Sequence, residues 1–164
     1  MAVRINAVAI TVSDRCARGE RGDESGAALR ELLRGSGAHV LAAEVLPDDL
    51  EPLSERLREY ADRGDVNLIV TTGGTGLAPR DNTPEATRAV IEREVPGLAE
   101  AMRAKSLEQT PMAMISRGVC GTRGGTLIIN LPGSPAGVRA CFAVIRPVLA
   151  HAVALLAGEP HAHG

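Results

Sequence analysis

The sequence predicts an α/β domain with three layers: a mainly parallel sheet covered by helices on both faces. Three observations carry that expectation. Short runs of aliphatic and β-branched residues alternate with segments whose apolar residues recur at helical spacing, the pattern of a sheet built through crossover helices. Several of these runs empty into polar or glycine-rich turns, as strands do when their carboxyl ends share one rim. The chain has 164 residues, 45% of them apolar, enough for a single buried core.

Residues 4–12 are short and β-branched and read as a buried strand, which Ser13-Asp14-Arg15 ends. Residues 15–24 are polar and contain glycine, so a loop is expected there. From Ser25, a helical face formed by Ala28, Leu29, Leu32 and Leu33 runs to Gly35-Ser36-Gly37. Residues 39–46 form a second strand, closed by Pro47-Asp48-Asp49, with Asp49 placed to cap the next helix. In that helix Leu50, Leu53, Leu57 and Tyr60 share a face. Leu68 to Thr71 form a third strand. Thr83-Pro84-Glu85 starts a helix, with a hydroxyl cap and proline at the first position, and that helix is expected to reach Val95-Pro96-Gly97. Another runs from about Leu98 to Leu107. The apolar runs 115–120 and 126–130 fit either a direct hairpin or a loop followed by an inner strand. Residues 136–156 form a last helix, apolar nearly all round, which suits deep burial or a subunit interface. Residues 1–158 are thus expected as one domain and 159–164 as a flexible tail.

Composition excludes several function classes. A formal charge of −2 without a Lys/Arg block gives no electrostatic footprint for nucleic acid. Tyr60 and Phe142 are the only aromatic residues, so no base-stacking platform exists. Cys16, Cys120 and Cys141 are odd in number and match no metal or redox spacing, which fits a reducing compartment. Cys120 and Cys141 read as small buried groups rather than nucleophiles. None of His39, His151, His161 and His163 stands at ligand spacing. No apolar run reaches the roughly 18 residues that span a bilayer, and no signal-peptide pattern opens the chain, so a cytoplasmic protein without a membrane partner is expected. A serine-nucleophile hydrolase fits poorly, because no Gly-x-Ser-x-Gly elbow occurs.

The chemistry concentrates in residues 68–85. There an apolar run opens into Thr71-Thr72-Gly73-Gly74-Thr75-Gly76, followed by Arg80-Asp81 and a helix start. Glycines let backbone turn with positive φ and approach a ligand closely. Backbone N–H groups in such a loop, with a helix N-terminus behind them, attract anions. The loop is neither a Walker A motif nor a dinucleotide fingerprint. A parallel sheet would bring four strand ends together: Ser13-Asp14-Arg15, Pro47-Asp48-Asp49, the glycine loop with Arg80-Asp81, and Pro132-Gly133-Ser134. Asp48 and Asp81 are the carboxylates best placed to meet a magnesium ion, which favours one or two carboxylates with water and substrate phosphates. Each has a structural alternative: Asp48 as a helix cap, Asp81 as a cap or as partner of Arg80. Ser13 and Asp14 fit a strand-ending turn as well as a ligand contact. Lys105 and Arg117 fit either substrate anchors or solvated charges.

These residues resemble a known family. Ser13-Asp14-Arg15, Pro47-Asp48, residues 71–85 and Leu131-Pro132-Gly133-Ser134-Pro135 are similar to the molybdopterin-binding, Rossmann-like fold of molybdenum-cofactor biosynthesis. Glu92-Arg93-Glu94-Val95-Pro96-Gly97 and Arg117-Gly118-Val119-Cys120-Gly121 resemble it too. The likeness is greatest to the molybdopterin adenylyltransferases, the Mog-type proteins and gephyrin G domains, and spans about Ile5 to Gly158. The resemblance implies transfer of AMP from Mg-ATP to the terminal phosphate of molybdopterin, giving adenylyl-molybdopterin and pyrophosphate. It implies catalytic roles for Asp48 and Asp81, through Mg2+. It also implies nucleotide or substrate contacts at Ser13, Asp14, Gly73, Gly74, Thr75, Gly76, Arg80, Ser116, Pro132, Gly133 and Ser134. A homotrimer and hand-off to a Moe-type molybdenum insertase belong to the same expectation. The fold also includes MoaB-type proteins, so a non-catalytic molybdopterin-binding or carrier role is the alternative.

Overall fold

The computed structural model describes residues 2–159. Of the expected tail, only Glu159 falls among them; residues 160–164, with His161 and His163, lie outside. The elements in chain order are β1 (Asn6–Val12), α1 (Asp14–Ala17), α2 (Glu24–Gly35), β2 (His39–Leu46), α3 (Leu50–Asp62), β3 (Leu68–Thr72), α4 (Thr83–Arg88), β4 (Arg93–Glu94), α5 (Pro96–Leu107), a 3₁₀ turn (Pro111–Ile115), β5 (Cys120–Arg123), β6 (Thr126–Leu131) and α6 (Pro135–Leu156). The six strands form one sheet in the order β2-β1-β3-β6-β5-β4. β2, β1, β3 and β6 are parallel, while β5 and β4 run antiparallel to their neighbours.

Strand alternation sorts the core into two layers. Ala7, Ala9, Leu68, Val70, Leu127 and Ile129 pack under α2, α5 and α6, around the buried Leu29, Leu33, Met102 and Phe142. Val8, Ile10, Val12, Ile69 and Ile128 face the other way, against Leu53, Leu57 and Tyr60 of α3 and Ala86 of α4. The three-layer α/β/α expectation therefore holds.

Three local expectations are revised. Residues 14–17 are a short helix rather than loop, because the Ser13 hydroxyl accepts the Cys16 N–H at 3.2 Å and nucleates a turn. α4 stops at Arg88 instead of running to Val95. The chain beyond it is drawn into the sheet edge, where Glu92 and Val95 donate backbone N–H groups to Thr122 and Cys120. Both readings of 112–131 hold in part: β5 and β6 form a hairpin turning at Gly124 (φ 53°), and β6 is also an inner strand beside β3, but residues 115–119 are not strand. α6 is, by length and composition, apolar enough to cross a membrane, although Arg139 and Arg146 interrupt its apolar run. It instead buries Val138, Cys141, Phe142, Ile145, Leu149 and Val153 against the sheet and leaves Val148 and Leu155 exposed.

Candidate active site at the strand-end crevice

Strand order reverses at β1, with β2 on one side and β3 on the other. The connections leaving β1 and β3 diverge there and open a crevice at the carboxyl ends. All four expected strand ends meet at this rim. Gly73 N–H donates to Leu131 O at 3.1 Å, and the Thr72 hydroxyl donates to Pro132 O at 2.7 Å. Asp14 and Asp48 exchange hydrogen bonds: Asp14 N–H to Asp48 Oδ2 at 2.9 Å, and Asp48 N–H to Asp14 Oδ1 at 3.0 Å.

The glycines answer to close approach. Gly73 and Gly74 have φ of 100° and 69°. A Cβ on Gly73 would stand 2.3 Å from Val12 O, and one on Gly74 would stand 2.2 Å from Thr83 Oγ1 and 3.2 Å from Asp48 Oδ1. Gly133 is also closely packed, since a Cβ there would lie 3.2 Å from the Gly73 Cα. The turn is thus wedged between α4 and the Asp48 carboxylate. Thr83 does not act as the cap read from the sequence; its hydroxyl donates to Gly73 O at 2.9 Å, and Asn82 holds the N-cap position.

Two arginines hold the loop that carries Asp81. Arg117 donates to Gly76 O and to Asp81 O, both at 2.8 Å, and pairs with Glu85. Arg80 grips Asp14 through Nε (2.6 Å) and NH2 (2.9 Å), and also reaches Asp49 at 2.9 Å. Asp49 sits at the N-cap of α3, yet its side chain makes no cap bond and serves Arg80 instead. Asp81 Oδ2 accepts the Ala78 N–H at 3.0 Å.

The electrostatics separate the carboxylates. Hydrogen bonds from Arg80 hold the Asp14 acid down to about 2. Burial pushes Asp48 above its ordinary value, and the negative charges of Asp14 and Asp81 push the same way. Among the described residues no three His, Cys, Asp or Glu side chains cluster as a protein-only metal site. A magnesium ion needs none, because two carboxylates plus substrate phosphates and water complete its shell. The raised Asp48 is the donor a divalent cation would relieve.

Three cavities run together along the rim. A polar cleft of about 210 Å³ is lined by Ser13, Asp48, Gly73, Gly74, Asp81 and Gly133. An open cleft of about 330 Å³ shares Gly74, Asp81 and Gly133 with it and adds Thr75, Gly76, Met112 and Ser116. Met112 and Ser116 continue into a mostly apolar cavity of about 310 Å³ between α5, the 3₁₀ turn and α6, walled also by Met102, Arg103, Pro132, Ser134 and Cys141. The Ser134 hydroxyl caps α6, accepting Gly137 N–H at 3.0 Å. Lys105 lies off the rim, paired with Glu108 at 2.7 Å. Reading the sequence missed Thr11, Arg21, Glu24 and Ser25, which line the polar cleft. Gly19 and Gly22 mark a loop between α1 and α2, but nothing local to it points to the cleft.

Fold and rim define a class: a doubly wound α/β protein with a glycine-lined polar crevice at the strand switch point, edged by carboxylates. Residues 8–151 match the family described as "Probable molybdopterin binding domain". The chain belongs to this Mog/MoaB family of molybdenum cofactor biosynthesis. It is 43% identical over 151 residues to the molybdenum cofactor synthesis protein cinnamon of Drosophila melanogaster, covering 92% of this chain but only 25% of that protein. It is 39% identical over 152 residues to the molybdopterin adenylyltransferase of Helicobacter pylori (strain J99), covering 92% of this chain and 86% of the relative. Its fold superposes on the crystal structure of the molybdopterin biosynthesis enzyme MoaB from Thermus thermophilus with a TM-score of 0.89, at 53% identity over 95% of this chain and 98% of the other.

Proposed function

We propose that this chain is a molybdopterin adenylyltransferase, moving AMP from Mg-ATP to the terminal phosphate of molybdopterin. The observation that carries the reading is the pair Asp48 and Asp81 lining one polar cleft with the Gly73-Gly74 turn, next to an apolar cavity. Two substrates of opposite character need two such neighbouring subsites. The polar cleft suits the nucleotide phosphates, and the apolar cavity suits the flat pterin ring system.

In the reaction an oxygen of the molybdopterin phosphate attacks the α-phosphorus of ATP. One P–O bond forms, the bond to the β-phosphate oxygen breaks, and pyrophosphate leaves. Such transfers depend on positioning and charge neutralisation more than on covalent help. Asp48 and Asp81 would hold Mg2+, which supplies that neutralisation when bound. Backbone N–H groups of Gly74, Thr75 and Gly76 would cradle phosphate, the Gly73 N–H being taken by Leu131 O. Thr75 and Ser116, at the junction of the clefts, would orient the acceptor phosphate.

The presence of Asp48 beside Asp81 favours turnover over the MoaB-like carrier role, which stays as the second reading. The deciding experiment is turnover with molybdopterin and Mg-ATP, with adenylylated product and pyrophosphate read by mass spectrometry. Binding of molybdopterin without product supports the carrier reading. A homotrimer and hand-off to a Moe-type insertase accompany the enzyme reading, and exposed Leu77, Met112 and Met114 offer apolar surface for such contacts.

A further inference from the structure

We propose that Arg80 is a positioning residue that fixes the spacing of Asp48 and Asp81 through Asp14, instead of contacting nucleotide. This rests on the adenylyltransferase reading, in which the two aspartates share one metal ion.

Arg80 is the chain neighbour of Asp81. Its guanidinium is spent on carboxylates from two other strand ends: Asp14 after β1, twice, and Asp49 after β2. Asp14 in turn holds the backbone N–H of Asp48 and gives its own N–H to the Asp48 carboxylate. A continuous path of bonds therefore runs from Asp81 through Arg80 and Asp14 to Asp48. Arg117 grips the same loop from the other side, at Gly76 O and Asp81 O. Asp81 is stretched between these two arginines, while Leu77 to Arg80 themselves stand exposed.

Charge counting explains why Arg80 is a poor phosphate ligand as placed. One guanidinium facing two carboxylates forms a group of net −1, which repels an anion. The planar fork also suits a carboxylate held at two points, a geometry that lysine cannot reproduce fully. Arg80 is 58% exposed, so its ion pairs add little to global stability and can be removed without unfolding the domain.

The test uses the full chain with Mn2+ as the metal probe and a non-hydrolysable ATP analogue, read by electron paramagnetic resonance. Arg80→Ala should weaken Mn2+ retention about tenfold or more, the usual effect of removing a group that orients a metal ligand. Arg80→Lys should recover part of it. Asp14→Asn should weaken it similarly, and the double variant Arg80→Ala/Asp14→Asn should be no worse than Arg80→Ala alone. Analogue binding in EDTA should be unchanged in Arg80→Ala. Loss of metal-free analogue binding in Arg80→Ala, with Asp14→Asn normal, would mean direct nucleotide contact and overturns the proposal. Additive losses in the double variant overturn it as well. A wild-type chain that retains no Mn2+ with the analogue overturns the underlying enzymatic reading, and the role of Arg80 falls with it.

Discussion

The parallel and antiparallel halves of the sheet meet at β6 and do different work at their ends. Where β2, β1 and β3 stop, Asp48, Asp14 and Asp81 converge around two positive-φ glycines and a polar cleft. At the end of β6 and the Gly118 lead-in to β5, α5 and α6 border a mostly apolar cavity walled by Met102 and Cys141. Parallel strands bring loops to one rim, so charge can be concentrated there. Antiparallel hairpins return the chain on itself and leave room for a wall of side chains. The buried Asn130 marks the seam: its amide donates to Thr71 at 3.0 Å and Thr87 at 2.9 Å, and its carbonyl accepts Val119 N–H at 3.0 Å.

The sharpest break in this comparison is Asp81→Ala. It should lower turnover by roughly 10²- to 10³-fold, the range for losing one preorganised electrostatic group, while the thermal melt stays close to wild type. Ala140→Phe tests the other half. A ring placed on α6 should fill the apolar cavity and raise KM for molybdopterin at least about tenfold, leaving nucleotide binding alone. Equal loss of both ligands would dissolve the division into two subsites. Asn130→Ala tests the seam: it strands buried partners and should cost about 1–3 kcal/mol in denaturant unfolding.

The two rim aspartates should also respond oppositely to pH. Asp14 is depressed from 3.8 to about 2, so its contribution to stability is present above the ordinary carboxylate value and is lost as pH falls through that window. Asp48 is raised, so its ionised form is disfavoured in the fold, and stability is lost as pH rises through its folded value. Melting curves at neutral pH should therefore show Asp48→Asn equal to or above wild type, and Asp14→Asn only slightly below it, since Arg80 is largely exposed. Near pH 2 the Asp14→Asn deficit should shrink. A lower melt for Asp48→Asn at neutral pH would remove the idea that this carboxylate is held at the expense of stability.

The parallel half was far more legible in the sequence than the antiparallel half. Strand and helix periods alternate through residue 85, and turn residues mark each strand end, so the rim followed from topology alone. Beyond α4 the signals conflict. The apolar Val90 and Ile91 prolong a helical pattern that edge pairing of Glu92 and Val95 overrides. The runs around Gly124 carry no period that separates hairpin from inner strand, and β6 turned out to serve as both. At the site, the glycines and aspartates were readable because their chemistry is local. The pairing of Arg80 with Asp14 and Asp49 was not, because residues 66 and 31 positions apart meet only through the fold. Arg21 and Ser25 were missed for the same reason.

The most direct measurement is single-turnover mass spectrometry with molybdopterin and Mg-ATP on the wild-type chain and Asp81→Ala. Stoichiometric adenylyl-molybdopterin and pyrophosphate from the wild type, both lost in the variant, is the expected result. Tight molybdopterin binding with no adenylylated product, or undiminished product from Asp81→Ala, would contradict it.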